Sequence, residues 1–147
     1  MSITSCVWSP YNVALISQIE CVQRSFTKKL FGLSKTSYPN RLKALSIESL
    51  ELRPLKADLC MYYKILWGWV NLDASQFFTM ASSTITRGHV FKLSKPICKN
   101  SRELNWFNRR AINAWNHLPE SVVVASSVNV FKRSLASVDL ATFCSLY

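Results

Sequence analysis

A chain of 147 residues with 49% apolar and 18% charged side chains is sized for one domain with a modest core, which excludes wholesale disorder. Only 3 Gly and 5 Pro leave little room for the many tight turns of an all-β fold. The balance of 18 Lys+Arg against 8 Asp+Glu gives a net charge of +10, which favours polyanion partners, nucleic acid ahead of a membrane surface or an acidic protein.

In chain order, Ser9-Pro10 is a good helix start, the hydroxyl capping and proline taking the first helical position. Leu15, Ile19, Val22, Phe26 and Leu30 follow at spacings of 4, 3, 4 and 4, which predicts one apolar stripe on one helical face, with Gly32 as the stop. Ser37-Tyr38-Pro39 opens a short second helix through about Leu45. The third and strongest helix carries Leu55, Leu59, Tyr62, Leu66 and Val70. Because proline is tolerated only in a first turn, it is expected to begin at or just before Pro54, with Ser49 to Arg53 as a separate turn or kinked lead-in. Met61, Ile65 and Trp69 make its other face apolar too, so it reads as the central core helix or as a face docked on another protein.

Asp73 to Phe78 fits a single capped turn. From Thr79 to Asn100 no helical period is visible, and the brief alternation of Val90, Lys92 and Ser94 with Phe91 and Leu93 predicts a short hairpin or extended loop. Ser101 is placed to cap a helix with Phe107, Ala111, Trp115 and Leu118 on one side, and Leu118-Pro119 ends it. Ser127 caps a last short helix carrying Val128, Phe131 and Leu135. The fold expected is mainly α, a small bundle of about four to five helices with one irregular basic loop or short hairpin. It divides into a helical part over 1–74, the basic loop over 75–100, and C-terminal helices over 101–147 that form one compact unit with 1–74.

No segment reaches the about 18 uninterrupted apolar residues of a membrane span, and no basic leader precedes the apolar N-terminus, which Pro10 interrupts. Five cysteines, at 6, 21, 60, 98 and 144, include no close pair and are odd in number, so reduced thiols in a soluble intracellular protein are expected, with no zinc site or disulfide framework.

Two-metal nucleotidyl transfer needs closely placed carboxylates. Asp58, Asp73 and Asp139 are isolated, and Glu48 with Glu51 reads as a solvated pair at a helix start. His89 and His117 have no ligand-forming residue at metal spacing, and no phosphate loop or hydrolase motif occurs. No enzyme, cofactor, metal or small-molecule substrate is expected from this chain alone.

The basic segments carry more. Between Asp73 and Glu103 there is no acid, while Arg87, Lys92, Lys95, Lys99 and Arg102 accumulate around Gly88 and His89; Arg109 and Arg110 follow beside Trp106 and Phe107. Guanidinium groups can pair phosphate oxygens, an aromatic face can stack a base, and a glycine beside Arg87 would let backbone approach a phosphate. Arg87, His89, Lys92, Lys95, Lys99, Arg102, Arg109 and Arg110 are therefore the candidate nucleic-acid contacts. A second acid-free stretch, between Glu20 and Glu48, holds Arg24, Lys28, Lys29, Lys35, Arg41 and Lys43.

Three ordered blocks add a resemblance. Trp8-Ser9-Pro10-Tyr11 precedes Glu20-Cys21-Val22-Gln23-Arg24 and Phe26-Thr27-Lys28. Then come Ser37-Tyr38-Pro39, Arg41 to Leu45, Ser49 to Arg53, Asp58-Leu59 and Tyr63 to Leu66. The late block runs from Thr86-Arg87-Gly88-His89 through Lys92 to Pro96 and Trp115-Asn116-His117-Leu118-Pro119 to Ser127 through Lys132. From about Val7 to Leu135 the chain resembles the C-terminal region of the reverse transcriptase of non-LTR (LINE-type) retrotransposons, of the jockey-like and chicken-repeat-like kind. The resemblance implies the thumb and helical extension that follow a catalytic palm bearing paired aspartates. It implies a role in gripping template RNA or the RNA/DNA duplex backbone, with the rest of the polymerase as a partner and no catalytic residue here. It also implies a nuclear or cytoplasmic ribonucleoprotein setting for the expressed element. Pro54 departs from the basic helical residue the family prefers, and Ala136 to Tyr147 does not continue its pattern. Met1 would fall inside the family's long open reading frame, as in a truncated copy. The competing expectations are a helical scaffold that docks through the third helix, or a relic without a selected function.

Overall fold

The computed structural model describes residues 12–30, 32–82, 88–97, 100, 103 and 105–144. The described chain is mainly helical and contains no sheet. Helix α1 spans Val13–Lys29, α2 Tyr38–Ala44 and α3 Leu52–Leu66. After a 3-10 turn at Ala74–Gln76 come α4 at Phe107–Arg110, α5 at Ile112–His117, α6 at Glu120–Val123 and α7 at Val128–Ala136, with a last 3-10 turn at Ala141–Phe143.

Several ends follow local chemistry foreseen in the sequence. Asp73 caps its turn by accepting from the Ser75 backbone N–H at 2.9 Å and hydroxyl at 2.8 Å. Those donors hold its carboxyl below the usual range. The Ser127 hydroxyl accepts from the Val130 N–H at 3.3 Å and starts α7, and extended backbone at Leu118 before Pro119 ends α5. The Ser9-Pro10 start and the Ser101 cap lie outside the described residues. The described start of α1 is capped by Asn12, whose side chain accepts from the Ala14 N–H at 2.9 Å.

Other ends differ from expectation. Helix α3 stops at Leu66 rather than continuing to Val70. Gly68 takes φ +67°, its N–H donates to Ile65 O and the Trp69 N–H donates to Lys64 O at 2.8 Å. That double closure on a left-handed residue ends the helix even though the apolar spacing runs on. The single helix expected from Ser101 to Leu118 is divided at Ala111, whose φ of −101° and ψ of 3° leave the helical region. Pro119 then opens α6, which the apolar spacing did not announce.

The core lies where α3 and α6 both pack on α7 and Trp115 of α5 reaches Tyr62 of α3. Tyr63 is stacked between Trp67 (5.0 Å, 16°) and Phe131 (4.4 Å, 17°), and Tyr62 meets Phe78 at 4.4 Å and the edge of Phe107 at 5.3 Å. Both phenols are satisfied: Tyr62 donates to Phe107 O at 2.8 Å and Tyr63 to Ala125 O at 2.5 Å. Burial, then the nearby Asp58 carboxylate, raises the Tyr62 phenol well above its ordinary range. Ile65 is buried in this core and Met61 packs against it, so the second apolar face of α3 is covered from within the chain, with only Trp69 beyond the helix left exposed.

The expected apolar stripe of α1 does not face inward. Val22 and Phe26 are 70% and 64% exposed, and the residues that α1 buries are Glu20 and Thr27. Tyr38 donates to Glu20 Oε1, and the Leu50 N–H donates to Glu20 Oε2 at 2.9 Å. Gln23 donates to Glu48 O at 3.0 Å, and buried Arg41 donates to Thr27 Oγ1 at 3.1 Å and Thr36 O at 2.5 Å. Polar pairing rather than apolar spacing selects the face.

Candidate nucleic-acid interface

Residues 79–81 and 92–94 are joined by an isolated antiparallel bridge, Met80 to Leu93, with the Ala81 N–H donating to Lys92 O at 2.8 Å and the Ser94 N–H to Thr79 O at 2.7 Å. The sequence alternation led to an expectation of a short hairpin or extended loop; among the described residues this one bridge is present and no strand forms. Leu93 is buried, and Asn116 grips both its backbone groups, accepting from its N–H at 2.8 Å and donating to its carbonyl at 2.9 Å. Trp115 adds a bond from Nε1 to Phe91 O at 2.9 Å. The side chains of α5 thus stand in for a missing neighbour strand.

The candidate contacts divide. Arg87, Lys99 and Arg102 lie outside the described residues. Lys95 is exposed and Lys92 half-buried. His89 sits inside the protein, its ring 6.0 Å from Trp115 and its Nε2 3.0 Å from Trp115 O. A carbonyl can only accept, so Nε2 carries the hydrogen and the ring anchors the loop on α5. Gly88 takes φ +119°, a conformation that side-chain-bearing residues rarely adopt, and a Cβ there would lie 2.8 Å from Lys92 Cε, at the movable end of that side chain.

Arg110 forms a fork with Asp58, Nε to Oδ2 at 2.6 Å and Nη2 to Oδ1 at 2.8 Å, and Asp58 is buried. This guanidinium ties α4 to α3 instead of facing solvent. Arg109 pairs with Glu103 at 2.9 Å and lies 5.1 Å over the exposed Trp106 ring.

Arg109 also lines a cleft of about 260 Å³ between the 75–79 turn, the 94–96 segment and α4. Gln76, Thr79, Ser94 and Asn108 give it polar walls, and Phe78 an apolar one. Asn108 is held there by donating to Phe77 O at 3.1 Å. The cleft combines residues more than thirty positions apart (Asn108 and Phe77 are 31 apart), which no local motif announces.

On the other acid-free stretch, Arg24, Lys28, Lys29, Lys35 and Lys43 are exposed, while Arg41 is buried in the α1–α2 network. Among the eight carboxylates, Glu20 and Asp58 are buried, and Glu48 and Glu103 are tied to Lys56 and Arg109. Each of these ion pairs neutralises one cation with one anion, so the positive field comes from the net excess of +10 and from the exposed lysines of the two acid-free stretches.

Among the described residues, no three His, Cys, Asp or Glu side chains converge in a way that could hold a metal, and no helix is long and apolar enough to cross a membrane. Cys21 is exposed, whereas burial raises the Cys60 thiol. Burial, with Glu51, Glu20 and Asp139 repelling the thiolate, pushes Cys144 up to about 12. Both buried thiols are therefore protonated and poorly nucleophilic at neutral pH. Comparison with family models, curated proteins and solved structures finds no match to this chain.

Proposed function

We propose that this chain is a nucleic-acid-binding helical accessory region, the part of a non-LTR retrotransposon RNA-directed DNA polymerase that follows the palm, and that it grips an RNA or RNA/DNA backbone without performing nucleotidyl transfer. The observation that supports binding is the charge arrangement: no carboxylate between Asp73 and Glu103 or between Glu20 and Glu48, with Lys28, Lys29, Lys35, Lys43 and Lys95 exposed. The ordered sequence blocks support the lineage. The polymerase's catalytic carboxylates would be supplied by the palm that precedes such a region.

Binding is tested by the anisotropy of a labelled single-stranded RNA as salt is raised. Each phosphate neutralised contributes about −0.7 to the slope of log affinity against log salt for a single strand, so four contacts give a slope near about −3. No binding at about 50 mM salt, where such contacts are strongest, would overturn the reading. The lineage is tested by the genomic sequence upstream of Met1: a palm with paired aspartates supports it, and unrelated sequence removes it.

A further inference from the structure

We infer that the cleft beside α4, together with Trp106, seats one unpaired nucleotide, which makes the site selective for single-stranded RNA or DNA over a duplex. The inference rests on the nucleic-acid reading above and gives it a location. Trp106 is 54% exposed although much of the protein's aromatic surface is packed in the core. One face of its ring is covered by the Arg109 guanidinium at 5.1 Å, an arrangement that orients the indole and leaves surface for a base to stack.

Arg109 connects the two halves of the site, since the same side chain lines the cleft. At about 260 Å³ the cleft is on the scale of a single base or sugar. Its walls supply hydroxyls at Thr79 and Ser94 that can donate or accept, and amides at Gln76 and Asn108. Such walls accept any base edge. Lys95 is exposed and lies in the same segment as Ser94 and Pro96, which line the cleft, so it adds a cation to the surface near the site. A paired base presents neither a free face nor a free Watson–Crick edge, and only an unpaired one can use an isolated tryptophan.

The test compares wild type, Trp106→Ala, Trp106→Phe and Lys95→Glu on a labelled oligouridylate and on an RNA duplex of the same length, with thermal melts checking that each variant folds. Trp106→Ala is expected to weaken oligouridylate binding about tenfold, the effect of removing one stacked base. Duplex affinity should stay within about twofold, and the salt slope should not change, because a stacking ring neutralises no phosphate. Trp106→Phe should keep most of the affinity. Lys95→Glu should weaken both ligands and flatten the slope by about one phosphate contact. If Trp106→Ala lowers neither affinity, or lowers both alike, the stacking site is overturned while the charged-surface reading stands. Wild type that binds neither ligand overturns both. Polyglutamate displacing the oligonucleotide as effectively as free oligouridylate would assign the cleft to acidic peptides and overturn the inference.

Discussion

The two halves of this protein bury different things. The α1–α2 hairpin closes over Glu20, Thr27 and Arg41, each held by hydrogen bonds, with Leu42 beside them, and leaves Leu15, Val22 and Phe26 outside. The body from α3 onward closes over Tyr62, Tyr63, Trp115, Phe131 and Leu135. A polar network is directional and fails as a unit when one member is lost, whereas an aromatic core loses contacts in proportion to the volume removed. The hairpin should therefore be fragile to single polar changes and the body to single large-to-small changes.

The largest expected effect is in the body. Trp115 is fully buried, lies 6.2 Å from Phe131 and 6.1 Å from Tyr62, and holds the loop through Phe91 O. Trp115→Ala should cost about 3–5 kcal/mol in urea denaturation and unfold the protein globally. A loss below about 1 kcal/mol would mean that the aromatic cluster is not the structural centre.

The Asp58–Arg110 fork comes next. Arg110→Met strands a buried carboxylate and should cost about 3 kcal/mol, while Asp58→Leu with Arg110→Met recovers most of it. Because this guanidinium faces inward, Arg110→Met should leave the salt slope of RNA binding unchanged. A slope that falls by about one contact would return Arg110 to the interface.

In the hairpin, Glu20→Ala removes the acceptor for Tyr38 and for the Leu50 N–H, with an expected cost of about 1–3 kcal/mol. The sharper readout is where the cost appears. Amide exchange should quicken across Val13–Lys29 while α3 and α7 keep their protection, since the hairpin can open as its own unit. Uniform loss of protection in both halves would erase the contrast between them.

The same contrast separates what was legible in the sequence from what was not. In the body, apolar spacing marked Leu59, Tyr62, Phe131 and Leu135, and local chemistry marked the Ser127 cap and the Pro119 stop. Gly68 escaped because apolar positions stay in phase through Val70 while the backbone reverses. In the hairpin, periodicity found the helix and its apolar stripe but not the buried face, because the side chains that choose that face are polar and carry no hydrophobic signal. The candidate interface was legible as charge only. Burial of His89 and the pairing of Arg110 with a residue 52 positions away are tertiary facts, and so is the cleft that Asn108 and Arg109 form with the 75–79 turn.

The smallest expected effect is the one that most directly checks the orientation of α1. Leu15, Val22 and Phe26 look like core by spacing, yet all are exposed. Were they core, Phe26→Gln would cost several kcal/mol, as truncating a buried aromatic does. At an exposed position away from caps and networks, Val22→Gln and Phe26→Gln should each change stability by no more than about 0.5 kcal/mol. They should also leave α1 amide protection as it was, in contrast with Glu20→Ala on the neighbouring face of the same helix. If Phe26→Gln instead costs more than Glu20→Ala, the hairpin is held by its apolar stripe, and its buried polar network is the consequence of that packing and not the cause.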